Sequence, residues 1–299
     1  MLVIVLAYMT IDLGTFSVFD SDFHFTPQSS SAIEHLGYGS LWLARMDAAD
    51  DGESAATGRA LMLSDVFTQT STVPVVASVL NIWKTEADTA ARLFHRFERT
   101  HPGRFVVGIG AGHREVHASL GYDKPYGATV RYLEDLQAAA VPQERILLAT
   151  VGPRMLQLAR ERGLGAHPHL TPVAHTKHAR EILGARPLLA PVQIVVFETD
   201  FALVREHAHA VLKPYLRLKN YVTMLREFGF PDLKVGDEPS DELVETLVSY
   251  GPAQQVAASA RAHLDAGADH VTFRVAGEAD DPIPGLADLA RELGLHQRE

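Results

Sequence analysis

The sequence predicts an α/β fold, a TIM (β/α)8 barrel with insertions. Three observations carry that expectation. Eight short runs rich in Val, Ile and Leu recur along the chain, most of them unbroken, as strands buried on both faces require. Helical patterns separate these runs, and such alternation implies parallel strands joined by right-handed crossovers. The 299 residues suit eight such units in one domain over 1–299. An open doubly wound sheet is the alternative, because strand number alone does not show closure.

In order, the strand candidates are Thr15–Phe19, Gly39–Leu43, Val73–Leu80, Phe105–Ile109, Arg145–Ala149, Leu164–His167, Leu188–Phe197 and His270–Val275. Helical patterns between them cover Ser29–Leu36, Glu86–Thr100, Thr129–Ala139, Arg154–Arg162, Ala174–Leu183 and Phe201–Leu212. Two more, Asp241–Val248 and Pro252–Ala266, precede the last strand. Boundaries have local causes. Gly37 and Gly39 end a helix and admit a strand, Gly267 repeats the device, and Pro153 and Pro252 suit first helical turns. Gly229–Ser240 is the most loop-like stretch, and none reads as an interdomain linker.

Composition narrows the function. The chain is 46% hydrophobic and 21% charged, which excludes wholesale disorder. With 27 Lys and Arg against 37 Asp and Glu, the net charge of −10 argues against nucleic acid or an anionic membrane as main partner. A small-molecule substrate, a local basic pocket for a phosphorylated ligand and a homodimer all remain compatible. The absence of cysteine excludes disulfides, thiolate metal sites, iron–sulfur clusters and a cysteine nucleophile, and fits a cytoplasmic protein. Leu2–Met9 is too short to span a bilayer and lacks the basic region and cleavage site of a signal peptide. Residues 1–11 therefore read as an extension, with Met9 an alternative start.

In a parallel barrel the functional groups gather at the C-terminal strand ends. The third strand ends in Ser78-Val79-Leu80-Asn81-Ile82-Trp83, and the fourth in Gly108-Ile109-Gly110-Ala111-Gly112-His113. The latter departs from a dinucleotide fingerprint, since His113 stands where a third glycine belongs. Its glycines serve either close approach of a flat ligand or a tight turn. After the fifth strand, Thr150-Val151-Gly152-Pro153-Arg154 opens a helix. Free N–H groups there and the Arg154 charge suit a phosphate; an ordinary turn is the alternative.

Other candidates read as structural. His167 and His169, straddling Pro168, are expected to point opposite ways and so make a poor metal pair. His175 and His178, like His207 and His209, read as solvated helix faces, and no metal site is expected. Asp20 and Asp22 suit a polar loop, while Trp83 is either core or a platform for a flat ring. No nucleophile elbow or complete P-loop is present.

Six stretches in order resemble the coenzyme F420-dependent branch of the luciferase-like monooxygenase superfamily. They are Leu36-Gly37-Tyr38-Gly39-Ser40-Leu41-Trp42, Asn81-Ile82-Trp83, and Pro102-Gly103-Arg104-Phe105-Val106-Val107-Gly108-Ile109-Gly110. The others are Gly152-Pro153-Arg154-Met155-Leu156, Gly165-Ala166-His167-Pro168 and Ala266-Gly267-Ala268-Asp269-His270-Val271. Together they cover about Asp12 to Val275.

The resemblance implies a barrel of the bacterial luciferase-like type that binds a deazaflavin or flavin at its strand ends. It implies a non-prolyl cis peptide and bulge at Ser78-Val79, with Ser78, Val79 and Asn81 against the cofactor ring. Thr150, Val151 and Gly152 match the loop that holds the cofactor phosphate, and Gly110, Gly112 and His113 the loop beside it. His113 is the candidate for proton transfer. Two departures stand out. The acid–base group expected after the second strand is missing, with Ala44-Arg45-Met46-Asp47 there instead, and Met1–Tyr8 have no counterpart. The function implied is hydride transfer between F420 and a small organic substrate. The alternatives are an FMN-dependent monooxygenase and a non-catalytic cofactor-binding barrel.

Overall fold

Nine parallel strands among the described residues form one sheet in the order β6-β5-β4-β3-β2-β1-β9-β7-β8. They are β1 Phe16–Phe19, β2 Leu41–Leu43, β3 Val75–Asn81, β4 Phe105–Gly110, β5 Ile146–Ala149, β6 Gly165–His167, β7 Val192–Val196, β8 Val248–Tyr250 and β9 Val271–Val275. Bridges Ala166↔Leu189 and His169↔Val192 bring β6 back against the chain at β7, so the curled sheet meets itself. The computed structural model describes residues 11–20, 25–44, 63–277 and 281–297. The run before Ile11, Asp22 and Arg45–Asp47 lie outside the described residues.

Each of the eight expected runs holds a strand. β8 is additional, and it lies where a helix was expected to continue through Val248. That helix stops at Leu247 because Val248–Tyr250 pair with Ile194–Val196 of β7 instead. Helices Lys219–Glu227 and Ile283–Leu293, and helical residues 63–69, are also absent from the sequence reading. Ile283–Leu293 follows Pro282 at its N-cap and has a further proline in its first turn. A proline there lacks only an N–H that has no intrahelical partner anyway.

Although the strands look uniformly apolar, their faces differ. Leu41, Leu43, Val75, Phe105, Val107, Phe273 and their neighbours point outward to the helices and build the main core. Phe19, Trp42, Val76, Val106, Leu147 and Ala190 form a separate cluster inside the barrel. The period of two places polar residues inside as well, among them Ser17, His270, Thr272 and Arg274, all buried. A third cluster joins β7 and β8 to helices Phe201–Leu216, Lys219–Glu227 and Asp241–Leu247, which cover one side of the barrel mouth.

Helix starts follow their caps. Thr26 and Ser29 form a reciprocal capping box before Pro27–His35, and Asp200 and Ser240 cap two later helices. At the opposite end of the first helix, Glu34 fixes the approach to β3. Its carboxylate accepts the N–H groups of Ser71, Thr72 and Val73 at 2.8, 2.8 and 3.0 Å. Burial alone would raise this carboxyl, but those bonds outweigh it and hold it below the ordinary value. A depressed carboxyl stabilises the fold at neutral pH and loses that contribution as pH falls through its native value. Glu34→Ala is expected to cost about 2–3 kcal/mol in urea unfolding at pH 7. The deficit against wild type should shrink in acid, below the ordinary carboxyl range; a deficit independent of pH would refute this account.

Candidate functional site

The floor of the site is set where β3 crosses β4. The ladder runs in register from Val75↔Phe105 to Ala77↔Val107, then resumes at Leu80↔Ile109, so β3 carries one extra residue. The Ser78–Val79 peptide within this bulge is cis. Gly108 makes the bulge possible: a Cβ there would lie 2.3 Å from the Ala77 carbonyl oxygen. At Gly110 a Cβ would stand 3.0 Å from Val79 and 3.2 Å from Ala149. The fourth-strand glycines therefore first clear space for the protein's own third strand.

The bulge turns Ser78 inward, where its hydroxyl donates to His167 Nε2 at 2.8 Å. His167 Nδ1–H donates to the Ala190 carbonyl at 2.8 Å, which leaves Nε2 as the acceptor. Below it, Trp42 packs against both His167 and His270, with ring centroids 4.5 and 5.3 Å away. His270 is fixed in the same manner, Nδ1 to Gly14 O and Nε2 to the Ser17 hydroxyl, both at 2.6 Å. Burial pushes both imidazoles down to about 4, so they stay neutral and plug the barrel beneath the site.

Above this plug lies a cavity of about 820 Å³ at the C-terminal ends of the strands. Ser78, Val79 and Gly110 line its base. Thr150, Val151 and Gly152 line one end, with Arg154 beyond them, its guanidinium 4.7 Å from the centre of the Tyr126 ring. Gly152 is the N-cap of helix Pro153–Arg162, and no side chain caps that helix. Among the described residues the buried Thr150 hydroxyl oxygen has no hydrogen-bond partner. A Cβ at Gly152 would meet nothing within 4 Å. Pro153 brings no N–H and the Met155 N–H bonds the Gly152 carbonyl at 3.2 Å, so the Arg154 N–H and guanidinium and the orphaned hydroxyl are what this helix start offers an anionic group of a bound ligand.

His113 and Gly112 also line this cavity, and with Gly152 they line an adjoining one of about 550 Å³. His113 Nδ1 lies 3.1 Å from Asn220 Oδ1, and its ring packs on Tyr221 at 5.4 Å. Burial lowers its proton affinity, opposed by the Asn220 bond. Asn81 is placed differently from the sequence expectation. It is absent from the cavity wall: Oδ1 accepts the Trp83 N–H at 2.9 Å and Nδ2 reaches His117 Nε2 at 3.2 Å. Asn81 and His117 together support the Gly112 turn, where φ is +59° and a Cβ would come within 2.3 Å of Asn81 Nδ2. Trp83 likewise braces the loop, donating to Ala111 O at 2.7 Å.

Several histidines differ from the sequence reading. His167 and His169 line the same cavity, because residues two apart on an extended chain share a face. His175 is buried rather than solvated; its Nε2–H holds the Val151 carbonyl at 2.8 Å and so ties down the loop after β5. That tie joins elements distant in sequence, which spacing along one helix does not reveal. Asp20 accepts the Ala44 N–H at 2.5 Å, a loop role as expected. Among the described residues, no group of three or more His, Asp or Glu side chains is placed to hold a metal ion. Among them, too, no helix is long and apolar enough to cross a membrane.

The sequence model of the luciferase-like monooxygenase family matches residues 9–270. Among curated proteins no relative matches the sequence. Solved structures share the fold at low identity. An F420-dependent secondary alcohol dehydrogenase in complex with an F420–acetone adduct aligns at 14% identity and TM-score 0.69, covering 95% of this chain and 99% of that one. The coenzyme F420-dependent tetrahydromethanopterin reductase of Methanopyrus kandleri aligns at 13% and 0.67, with the same coverage of 95% and 99%. The oxygenating constituent of 3,6-diketocamphane monooxygenase of Pseudomonas putida, in complex with FMN, aligns at 14% and 0.61, covering 89% and 91%.

The glycine spacing at the floor carries a direct expectation. Gly108→Ala drives a methyl group into a backbone oxygen and should cost about 3 kcal/mol of stability, the upper end for overpacking. Gly152→Ala, facing open space with an ordinary φ of −95°, should leave the melting temperature within a degree or two of wild type. Equal melting temperatures for the two variants would contradict the bulge-clearance argument.

Proposed function

The chain belongs to the luciferase-like monooxygenase family, and from that premise we propose an oxidoreductase that moves a hydride between coenzyme F420 and a small organic substrate. The observation that carries the choice of F420 is the second cavity beyond the anion-holding loop. A cofactor that ends at its phosphate has no use for that space, whereas one with a polyanionic tail does. Arg114 and Lys219 stand on its wall beside Glu115 and Glu227, and Glu115 is engaged by the Lys219 backbone N–H at 3.0 Å. The FMN-dependent reading draws on the Pseudomonas putida relative, which holds FMN.

In this reading the bound cofactor supplies the hydride acceptor or donor, and the protein supplies position and electrostatics. Ser78, Val79 and Gly110, at the base of the cavity, would hold the ring. Thr150, Val151, Gly152 and the helix start hold the phosphate, with Arg154 adding charge. His113, on the wall shared by both cavities, would exchange with water the proton that accompanies the hydride.

Parallel titrations with F420, FMN and NADPH test the cofactor directly, with F420 expected to bind most tightly. Gly152→Val should weaken that binding at least tenfold while the melting temperature holds, because its side chain enters the ligand's space. Tighter binding of FMN than of F420 would replace the F420 reading with the FMN one. For His113→Asn, turnover with the bound cofactor should fall by about 10²-fold or more, and cofactor affinity by much less. Weakened binding with an unchanged rate would make His113 a cofactor contact only.

A further inference from the structure

A histidine outside the roles given above carries a consequence for the substrate. Arg274, on β9, lines the main cavity with His169, and its Nη1 lies 3.2 Å from His169 Nε2 and 3.2 Å from the Tyr215 hydroxyl. A guanidinium only donates, so His169 Nε2 accepts, and a neutral imidazole must then carry its proton on Nδ1. Among the described residues no group takes that Nδ1–H. Of the donors on the adjoining floor, Ser78 is committed to His167 and His167 to Ala190. The ring sits between Phe19 and Tyr215, at centroid distances of 6.2 and 5.0 Å.

We propose that His169, locked as the Nδ1–H tautomer by Arg274, donates a hydrogen bond to the carbonyl oxygen of a ketone or aldehyde substrate. The inference rests on reading this cavity as the hydride-transfer site. A carbonyl that takes a hydride at carbon moves its π electron pair onto oxygen, and a proton drawn from water through His113 completes the alcohol. Charge therefore grows on the oxygen facing a preorganised N–H, with a cation directly behind the ring. The donor keeps its proton throughout. Burial, with the Arg274 charge next in weight, holds His169 well below the ordinary histidine range, so it acts as a neutral donor at physiological pH. The aromatic flanks favour an apolar body on the carbonyl compound.

The test uses the full chain, labelled with ¹⁵N-histidine and without added cofactor, with His169→Gln assigning the resonance. His169 should be neutral and protonated at Nδ1 from pH 6 to 8. Arg274→Met should release it toward the Nε2–H form, while Arg274→Lys, which keeps a cationic donor, should preserve the lock if the first variant fails to fold. Cyclohexanone should shift the Nδ1–H resonance and methylenecyclohexane should not. His169→Phe should weaken cyclohexanone binding about tenfold, the loss of one good hydrogen bond, and leave the hydrocarbon unaffected. An Nε2–H or cationic ring at pH 7, an equal response to the hydrocarbon, or tighter binding of cyclohexanecarboxylate than of the ketone would overturn the proposal. Because every readout precedes cofactor binding, failure of F420 to bind would sink the cofactor reading without touching this one.

Discussion

The one-residue bulge in β3, seated on Gly108, is the constraint from which the rest of the site follows. Without it Ser78 and Val79 would continue the strand's alternation, and the hydroxyl that fixes His167 would be displaced from Nε2. The bulge needs the space over β4 that only a missing side chain leaves, since the Ala77 carbonyl occupies the position of a Gly108 Cβ. A backbone oxygen cannot rotate away as a flexible side chain can. The floor of the cavity is thus determined by backbone against backbone, which gives it a definite shape independent of any ligand.

Above and below that floor, imidazoles serve as polar groups that carry no charge. Each is fixed by a partner whose hydrogen-bonding sense is unambiguous: Ala190 and Gly14 carbonyls for His167 and His270, the Val151 carbonyl for His175, the Arg274 guanidinium for His169. A carbonyl partner selects the nitrogen that bears the proton, and a guanidinium selects the one that does not. Burial then keeps all four from gaining a second proton. A barrel interior can in this way hold several basic residues close together without accumulating mutual repulsion.

Much of the fold was legible in the sequence because strands buried on both faces leave unbroken Val, Ile and Leu runs, and all eight were found by that signal. The short strand Val248–Tyr250 was not, since its partner in β7 lies more than fifty residues away and three residues carry no periodicity. At the site, the loops after β4 and β5 were visible as glycine, proline and threonine at strand ends. Asn81 was misplaced because whether a strand-end amide faces a ligand or its own neighbouring loop depends on His117, thirty-six residues on. His169 read only as half of a poor metal pair, because its contact is with Arg274, more than a hundred residues away, which no local spacing discloses.

Three glycines around the cavity show why sequence alone left the role of the Gly-rich fourth-strand end open. All are equally conspicuous in the chain, yet a methyl group added at each would land in a different place. At Gly108 it meets the backbone of β3, and at Gly112 the Asn81 amide and the His117 ring. Those two glycines serve the protein's own packing, and Gly112 also requires the left-handed backbone at φ +59°. At Gly152 it meets nothing, and the same loop offers an orphaned hydroxyl and a helix start that no side chain caps. A glycine whose missing side chain leaves empty space beside unsatisfied donors is the one whose absence of bulk suits a ligand. By that criterion the loop after β5, rather than the more glycine-rich end of β4, is where the backbone is shaped for something other than itself.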